Sequence, residues 1–411
     1  MVVPRLAGNR ALVTTVALAS AASMLLLGLF VRDHAFSLYD DAFIYLRYVR
    51  NLHAGCGFRF NCDESPVEAF SGPLWLSFLL LASLATSNLV AATQVIGTVA
   101  IGGALVAAVV AATQTYGPLR LTSFQRGAAA CAVAVVLACD PFVLLNAVIG
   151  LETGLAALVV VLLLMAVRAD NRKLAVALAC AMTLIRPEGA LFVVGLFLLP
   201  WARTWRVAAF CVAFLVTMTL ARYAIFGDVV ANTVWAKSGG TWKHAVLGAS
   251  YIVSVVQDFP AILAAPLLLA LSRARADAAY FLIVTAAWFG SFLYSGGDTF
   301  AYSRFAFPLV PALVVLSVQG VLAAADRRAR KTDKNWAAVL AVLPFAFVAA
   351  RAAVSHNLAP SHGFPNVALW TAVGEHLKAQ HPGMSVATVP IGAIGYYSEA
   401  KLLDLVGLAS R

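Results

Sequence analysis

Two adjacent carboxylates, Asp40-Asp41, stand just after the first long apolar run of this chain. A carboxylate beside a bilayer is costly unless it binds or reacts with something. A helix N-cap plus a first-turn acid accounts for one aspartate well and for the second only in part. The chemistry open to the pair is general-base activation of a hydroxyl, or ligation of a hard divalent cation (Mg2+ or Ca2+) through oxygen. Glu68, Glu152, Glu188, Asp228 and Asp298 follow at the ends of later apolar runs, most of them beside Gly, Pro or Arg. Arg186, in Arg186-Pro187-Glu188-Gly189, and Arg304, shortly after Gly296-Gly297-Asp298, carry the planar fork that matches phosphate oxygens. Lys237, close to Asp228 and Asn232, is a third cation for such a group. Plainer readings stand beside these: Glu152 as a first-turn acid, Arg186 and Glu188 as a local ion pair in a turn, Lys237 as a solvated cation.

The elements that must position these groups are helices in lipid. Hydrophobic residues make up 62% of the 411-residue chain and charged residues 12%, against about half and about a quarter in soluble domains. A buried core cannot absorb that surplus, so lipid is the solvent for much of it. The net charge of +10 sits in short clusters between apolar runs, which orients helices and does not make a nucleic-acid surface. Residues 11–31 are long enough to span and lack a small-residue cleavage pattern, so they read as a retained anchor. Cys131, Cys139, Cys180 and Cys211 lie in apolar runs as packing residues. Cys56 and Cys62 fall in the first external loop, where a disulfide fits better than zinc.

Threading by positive charge places the N-terminus in the cytoplasm and residues 33–71 outside. Asp40 to His53 is amphipathic and is expected to lie on the membrane surface, with Arg47, Arg50 and Asn51 on its polar face. Pro73–Ala85 reads as a half-inserted helix. Further spans are expected at 91–113, 127–140, 154–167, 174–185, 190–202, 207–226, 258–272, 279–294, 306–325 and 336–354, giving about eleven transmembrane helices. The spans 127–140 and 174–185 are short for a full crossing, as in broken helices that line sites. Residues 1–354 then form an all-α polytopic membrane domain with amphipathic juxtamembrane helices. Residues 355–411 form a short external segment, with a strand at Ser385–Pro390. All the acidic motifs fall on the outer face.

Asp40-Asp41-Ala42-Phe43-Ile44 with Arg47-Tyr48, then Gly55, Gly57-Phe58, Asn61, Val67-Glu68 and Gly72-Pro73-Leu74-Trp75, resemble the bacterial C-superfamily (GT-C) glycosyltransferases that use polyprenyl-phosphate sugars. The branch resembled is the terminal β-arabinofuranosyltransferase-like group. The resemblance continues through Glu152-Thr153-Gly154, Arg186 to Gly189, Phe226-Gly227-Asp228, Gly296-Gly297-Asp298 and Asp404 to Leu408. Ala69-Phe70-Ser71 departs from it, as does the short C-terminal segment. It implies a GT-C-like fold in the bacterial inner membrane, a periplasmic active site, a polyprenyl-phosphate sugar donor and a glycan or lipid acceptor. It also implies a first-loop acid as catalytic base, Asp40 being slightly favoured over Asp41. Arg186, Lys237 and Arg304 are then candidates for the donor phosphate, with Glu68, Glu152, Glu188, Asp228, Asn232 and Asp298 as substrate-binding or supporting groups. A related hexosyl- or aminopentosyl-transferase fits the same residues. A transporter is disfavoured by the absence of repeats and by acids at helix ends, and a non-catalytic assembly protein is the remaining alternative.

Overall fold

Apolar runs with few charges fold as helices here because a hydrocarbon layer offers backbone N–H and C=O groups no partner, and a helix satisfies them internally. The computed structural model describes residues 9–34, 38–114, 121–237, 239–266, 276–298, 303–328 and 365–410. The expected span 336–354, the end of 258–272 and several basic loop residues (Arg120, Arg273, Arg275, Arg330 and Lys331) lie outside the described residues.

α1 (Arg10–Asp33) starts where the Asn9 side chain accepts the Leu12 N–H at 3.1 Å. α2 (Asp40–His53) and α3 (Pro73–Ser83) follow, α3 with Pro at its first turn. α4 (Leu89–Ala112) is capped by Asn88, and α5 (Ser123–Ala138) by a reciprocal Thr122/Gln125 box. α6 (Pro141–Val148) turns away from α5 by 62°, because Pro141 cannot continue the hydrogen-bond ladder and Asp140 caps a new helix instead. α7 (Thr153–Arg168), α8 (Arg172–Ile185) and α9 (Ala190–Gly195) are short, and α10 (Trp205–Phe226) ends at Gly227, whose φ of +70° closes it. Then come α11 (Asn232–Lys237), α12 (Trp242–Asp258), α13 (Ala276–Ser295) and α14 (Val310–Arg328).

Five stretches among the described residues are long and apolar enough to cross a membrane: α1, α4, α10, α13 and Phe307–Ala324. A sixth is the bent pair of α5 and α6. The chain is thus an all-α, multi-pass membrane protein. Two expectations change. The segment expected to span at 190–202 is α9 followed by two 3-10 turns. The span expected from 258 begins where α12 has just ended, and Pro260–Ala264 is a 3-10 turn. α3, at 11 residues, is about 17 Å long and too short to cross, as its reading as a half-inserted helix expected.

Residues 365–410 form a compact unit: α15 (Pro365–Gln380), β1 (Ser385–Thr388), α16 (Gly392–Ser398) and β2 (Lys401–Asp404). The strands pair in parallel, Ser385 opposite Lys401 through Thr388 opposite Asp404, with α16 as the crossover. Two strands cannot stand alone, and this unit docks on α2. Arg47 and Asn51 were expected at the polar surface of α2, yet both are buried. The Arg47 guanidinium donates to Gly395 O and Ala400 O at 2.8 Å each, to Phe60 O at 2.8 Å and to Asn61 Oδ1 at 2.9 Å. The polar stripe of α2 therefore faces protein, not water. Two apolar clusters result, one inside the helix bundle and one between α2, α3 and the C-terminal unit. The candidate site lies where the N-terminus of α2 meets the bundle.

Candidate active site

The first turn of α2 is pinned to the turn between α6 and α7: the Tyr39 N–H donates to Ile149 O at 2.9 Å. Gly150 makes this approach possible. Its φ is +77°, and a Cβ there would sit 2.6 Å from a Leu38 methyl. Glu152, at the N-terminus of α7, thereby comes beside Asp41. Arg186 reaches the same place from the C-terminal end of α8, and Arg304 from the turn that leads into α14.

These groups form two arginine–carboxylate clusters, buried except at Asp41 and Glu188, which are partly exposed. Arg304 Nη1 bonds Asp41 Oδ2 at 2.8 Å, and its Nε bonds Asp298 Oδ2 at 2.6 Å. Arg186 Nη1 bonds Glu152 Oε1 at 3.0 Å, and its Nη2 bonds Glu188 Oε1 at 3.4 Å. Both guanidinium carbons lie about 5 Å from the Phe305 ring, at 4.9 Å for Arg186 and 5.1 Å for Arg304. Burial lowers the tendency of each arginine to hold its proton. The carboxylates more than offset this and raise both, Glu188 and Glu152 acting on Arg186, Asp298 and Asp41 on Arg304. The Nε of Arg186 is buried with no hydrogen-bond partner among the described residues.

Asp41, Glu152, Arg186 and Arg304 line one narrow pocket with an interior volume of about 40 Å³. Tyr45, Ser71, Thr153 and Thr233 add hydroxyls to its wall. Tyr45 OH and Ser71 Oγ reach Glu152 at 3.3 and 3.4 Å. Of these wall residues, Tyr45 carried a signal in the sequence, since it stands four residues after Asp41 on the same face of α2.

Asp40, the acid slightly favoured as base from the sequence, is placed differently from Asp41. Its carboxylate is buried and accepts the N–H groups of Gly392 at 3.0 Å and Ala393 at 2.7 Å, so it caps α16 and does not line the pocket. Gly392 is required there, because a Cβ would meet the Asp40 carbonyl oxygen at 1.8 Å. Burial pushes the Asp40 carboxyl up to about 6, against the lowering pull of the Ala393 amide; the Asp41 charge raises it further. The two adjacent carboxylates are held by different partners. One carboxylate is engaged by backbone amides and the other by a guanidinium, and among the described residues no cluster of three or more His, Cys, Asp or Glu could hold a metal.

The remaining predicted residues divide clearly. Asp298 braces Arg304, and Glu188 braces Arg186. Glu68 is buried against Arg222 of α10 and does not itself line the pocket, although Ala69 next to it does. Asn232 donates to Gly407 O at 2.7 Å and Leu408 O at 2.8 Å, clipping the C-terminal unit to α11. Asp228 accepts the Val229 N–H within its own turn at 2.8 Å. The Lys237 side chain lies outside the described residues. Cys56 and Cys62 form a disulfide in the loop that presents Phe60 and Asn61 to Arg47.

The described residues thus form a bundle of apolar helices with an acidic helix start, Asp40-Asp41, at its edge. Among solved structures, the chain is similar to ArnT from Cupriavidus metallidurans bound to undecaprenyl phosphate, with a TM-score of 0.57 and 13% identity over 95% of this chain and 85% of that one. It is similar also to the apo state of the same protein, with a TM-score of 0.55 and 14% identity over 96% and 86%. At such identities the likeness is one of fold. Residues 356–411 match a family described as "Domain of unknown function (DUF8728)". No curated protein matches the chain by sequence.

Proposed function

We propose that this chain is a membrane glycosyltransferase that moves a sugar from a polyprenyl-phosphate donor to a hydroxyl of an envelope glycan or lipid, with Asp41 as the base. The observation that carries the reading is the pairing of a partly exposed carboxylate, Asp41, with Arg304 at 2.8 Å in a pocket that also holds Arg186 and Glu152. Support for a lipid-phosphate donor comes from the fold shared with ArnT, whose crystal structure holds undecaprenyl phosphate.

In this reading the acceptor hydroxyl gives its proton to the Asp41 carboxylate as its oxygen bonds the anomeric carbon. The bond from that carbon to the phosphate oxygen breaks, and its electron pair leaves with polyprenyl phosphate. A phosphate is a weak base, so its departure needs positive charge and little protonation. Arg186, with a donor nitrogen still unengaged, and Arg304 supply that charge. Attack opposite the leaving group inverts the anomeric configuration. Arabinofuranose is the sugar proposed from the sequence resemblance, and the periplasm the side proposed from the charge distribution.

The test is to incubate purified protein with a panel of polyprenyl-phosphate sugars and an acceptor extract. Release of polyprenyl phosphate coupled to glycosylation supports the reading. No release from any donor, with folded protein, contradicts it.

A further inference from the structure

A second cavity, of about 730 Å³, opens between the N-terminal ends of α8 and α10. It is far from the candidate site. Arg172 and Lys173 begin α8, whose opposite end leads to Arg186, a helix length of about 20 Å away. Arg206 lies in the first turn of α10, whose last turns carry Arg222 to Glu68. The cavity is therefore at the other membrane boundary. Its size falls within the range of about 300–1,000 Å³ common for small-ligand sites.

The wall has two chemistries. Val176, Ala177, Val207 and Phe210 form an apolar trough along the two helices, with Phe210 exposed. Arg172, Lys173 and Arg206 ring its end, with Trp201 and Trp205 between them. The Arg172 guanidinium lies 6.0 Å from the Trp201 ring and that of Arg206 5.7 Å from the Trp205 ring. Trp205 is 75% exposed, as suits an indole at the headgroup level. Arg172 is partly neutralised by Asp170 at 3.2 Å. Lys173 and Arg206 have no acidic partner among the described residues. Among the described residues, no carboxylate lines the cavity.

We propose that this groove binds one anionic phospholipid, its phosphate among Lys173, Arg206 and Arg172 and an acyl chain along the trough. Charge complementarity selects the headgroup, since basic pockets between membrane helices are suited to anionic lipid heads. The inference is independent of the glycosyl-transfer reading, because the site lies at the opposite boundary and its readout is binding.

The test uses the purified full chain in detergent with equal phosphatidylglycerol and phosphatidylcholine, and native mass spectrometry of the lipid retained. One phosphatidylglycerol should be held in preference to phosphatidylcholine. The double variant Lys173→Glu/Arg206→Glu should lower that retention about ten-fold or more, as reversal of two headgroup charges implies. Lys243→Glu, an exposed charge reversal on α12 away from this groove, should not change it. Equal retention of both lipids, or undiminished retention by the double variant, would overturn the proposal. A photoreactive residue at position 210 should label lipid; labelling of a second copy of the chain or of residues 336–354 would likewise overturn it.

Discussion

Asp40 and Ala393, far apart in sequence, are joined by a 2.7 Å hydrogen bond from the Ala393 amide to the Asp40 carboxylate. The bond ties the residue next to Asp41 to the first turn of α16. The C-terminal unit therefore holds the end of α2 from one side while Arg304 holds Asp41 from the other.

Asp40→Asn replaces one of two acceptor oxygens with an NH2 that confronts an amide donor. An unsatisfied buried polar group costs about 1–3 kcal/mol. Hydrogen exchange in residues 385–408 should rise correspondingly, while the helix bundle keeps its protection. Transfer should fall less than in Asp41→Asn.

The Asp40 carboxyl, held near 6 by burial, titrates above the unfolded value of 3.8. Between those values the folded state binds more protons than the unfolded state, so stability from this group is full below about 4 and is lost as pH rises towards 6. Docking of the C-terminal unit should therefore be tighter at pH 5 than at pH 7, read as hydrogen exchange in residues 385–408 corrected for the intrinsic pH dependence of exchange. The difference should shrink in Asp40→Asn. An equal pH difference in that variant would exclude Asp40 as its source.

Arg304→Met removes a guanidinium bonded to both Asp41 and Asp298, and Asp298 is only 3% exposed. Loss of one partner of a buried pair costs about 3–5 kcal/mol, so the thermal midpoint in detergent should drop sharply. Arg304→Lys keeps the charge but not the fork that spans both carboxylates. It should melt closer to wild type while requiring more donor for half-maximal rate.

Cys56→Ser/Cys62→Ser opens a loop that closes over a sequence separation of 6. Chain entropy alone gives about 2 kcal/mol for so short a loop. Because that loop presents Phe60 O and Asn61 to Arg47, the loss should appear as faster exchange in α2 and the C-terminal unit together. Unchanged exchange there would show that Arg47 is held without the bridge.

The helical, lipid-embedded class of fold was legible because ends of apolar runs mark where chain meets water, and the acidic and arginine motifs stand at those ends. Asp41, Glu152, Arg186, Glu188, Asp298 and Arg304 do converge. The difference between Asp40 and Asp41 was not legible, since the amides that cap Asp40 belong to a turn some 350 residues later. Arg47 was misread for a related reason. Its stripe on α2 looks like a water-facing surface until the C-terminal unit covers it. α12 was missed because an exposed amphipathic helix lacks the continuous apolar run that marks a span, although Thr241, whose hydroxyl caps its start, was a readable signal.

The most direct measurement is polyprenyl phosphate release by Asp41→Asn beside wild type and Asp40→Asn, with each protein shown to be folded by its melting curve. With Asp41 as the base, Asp41→Asn should lose about 10²–10⁴ in rate, and Asp40→Asn should keep a clearly larger share. Turnover near the wild-type rate in Asp41→Asn would contradict the account.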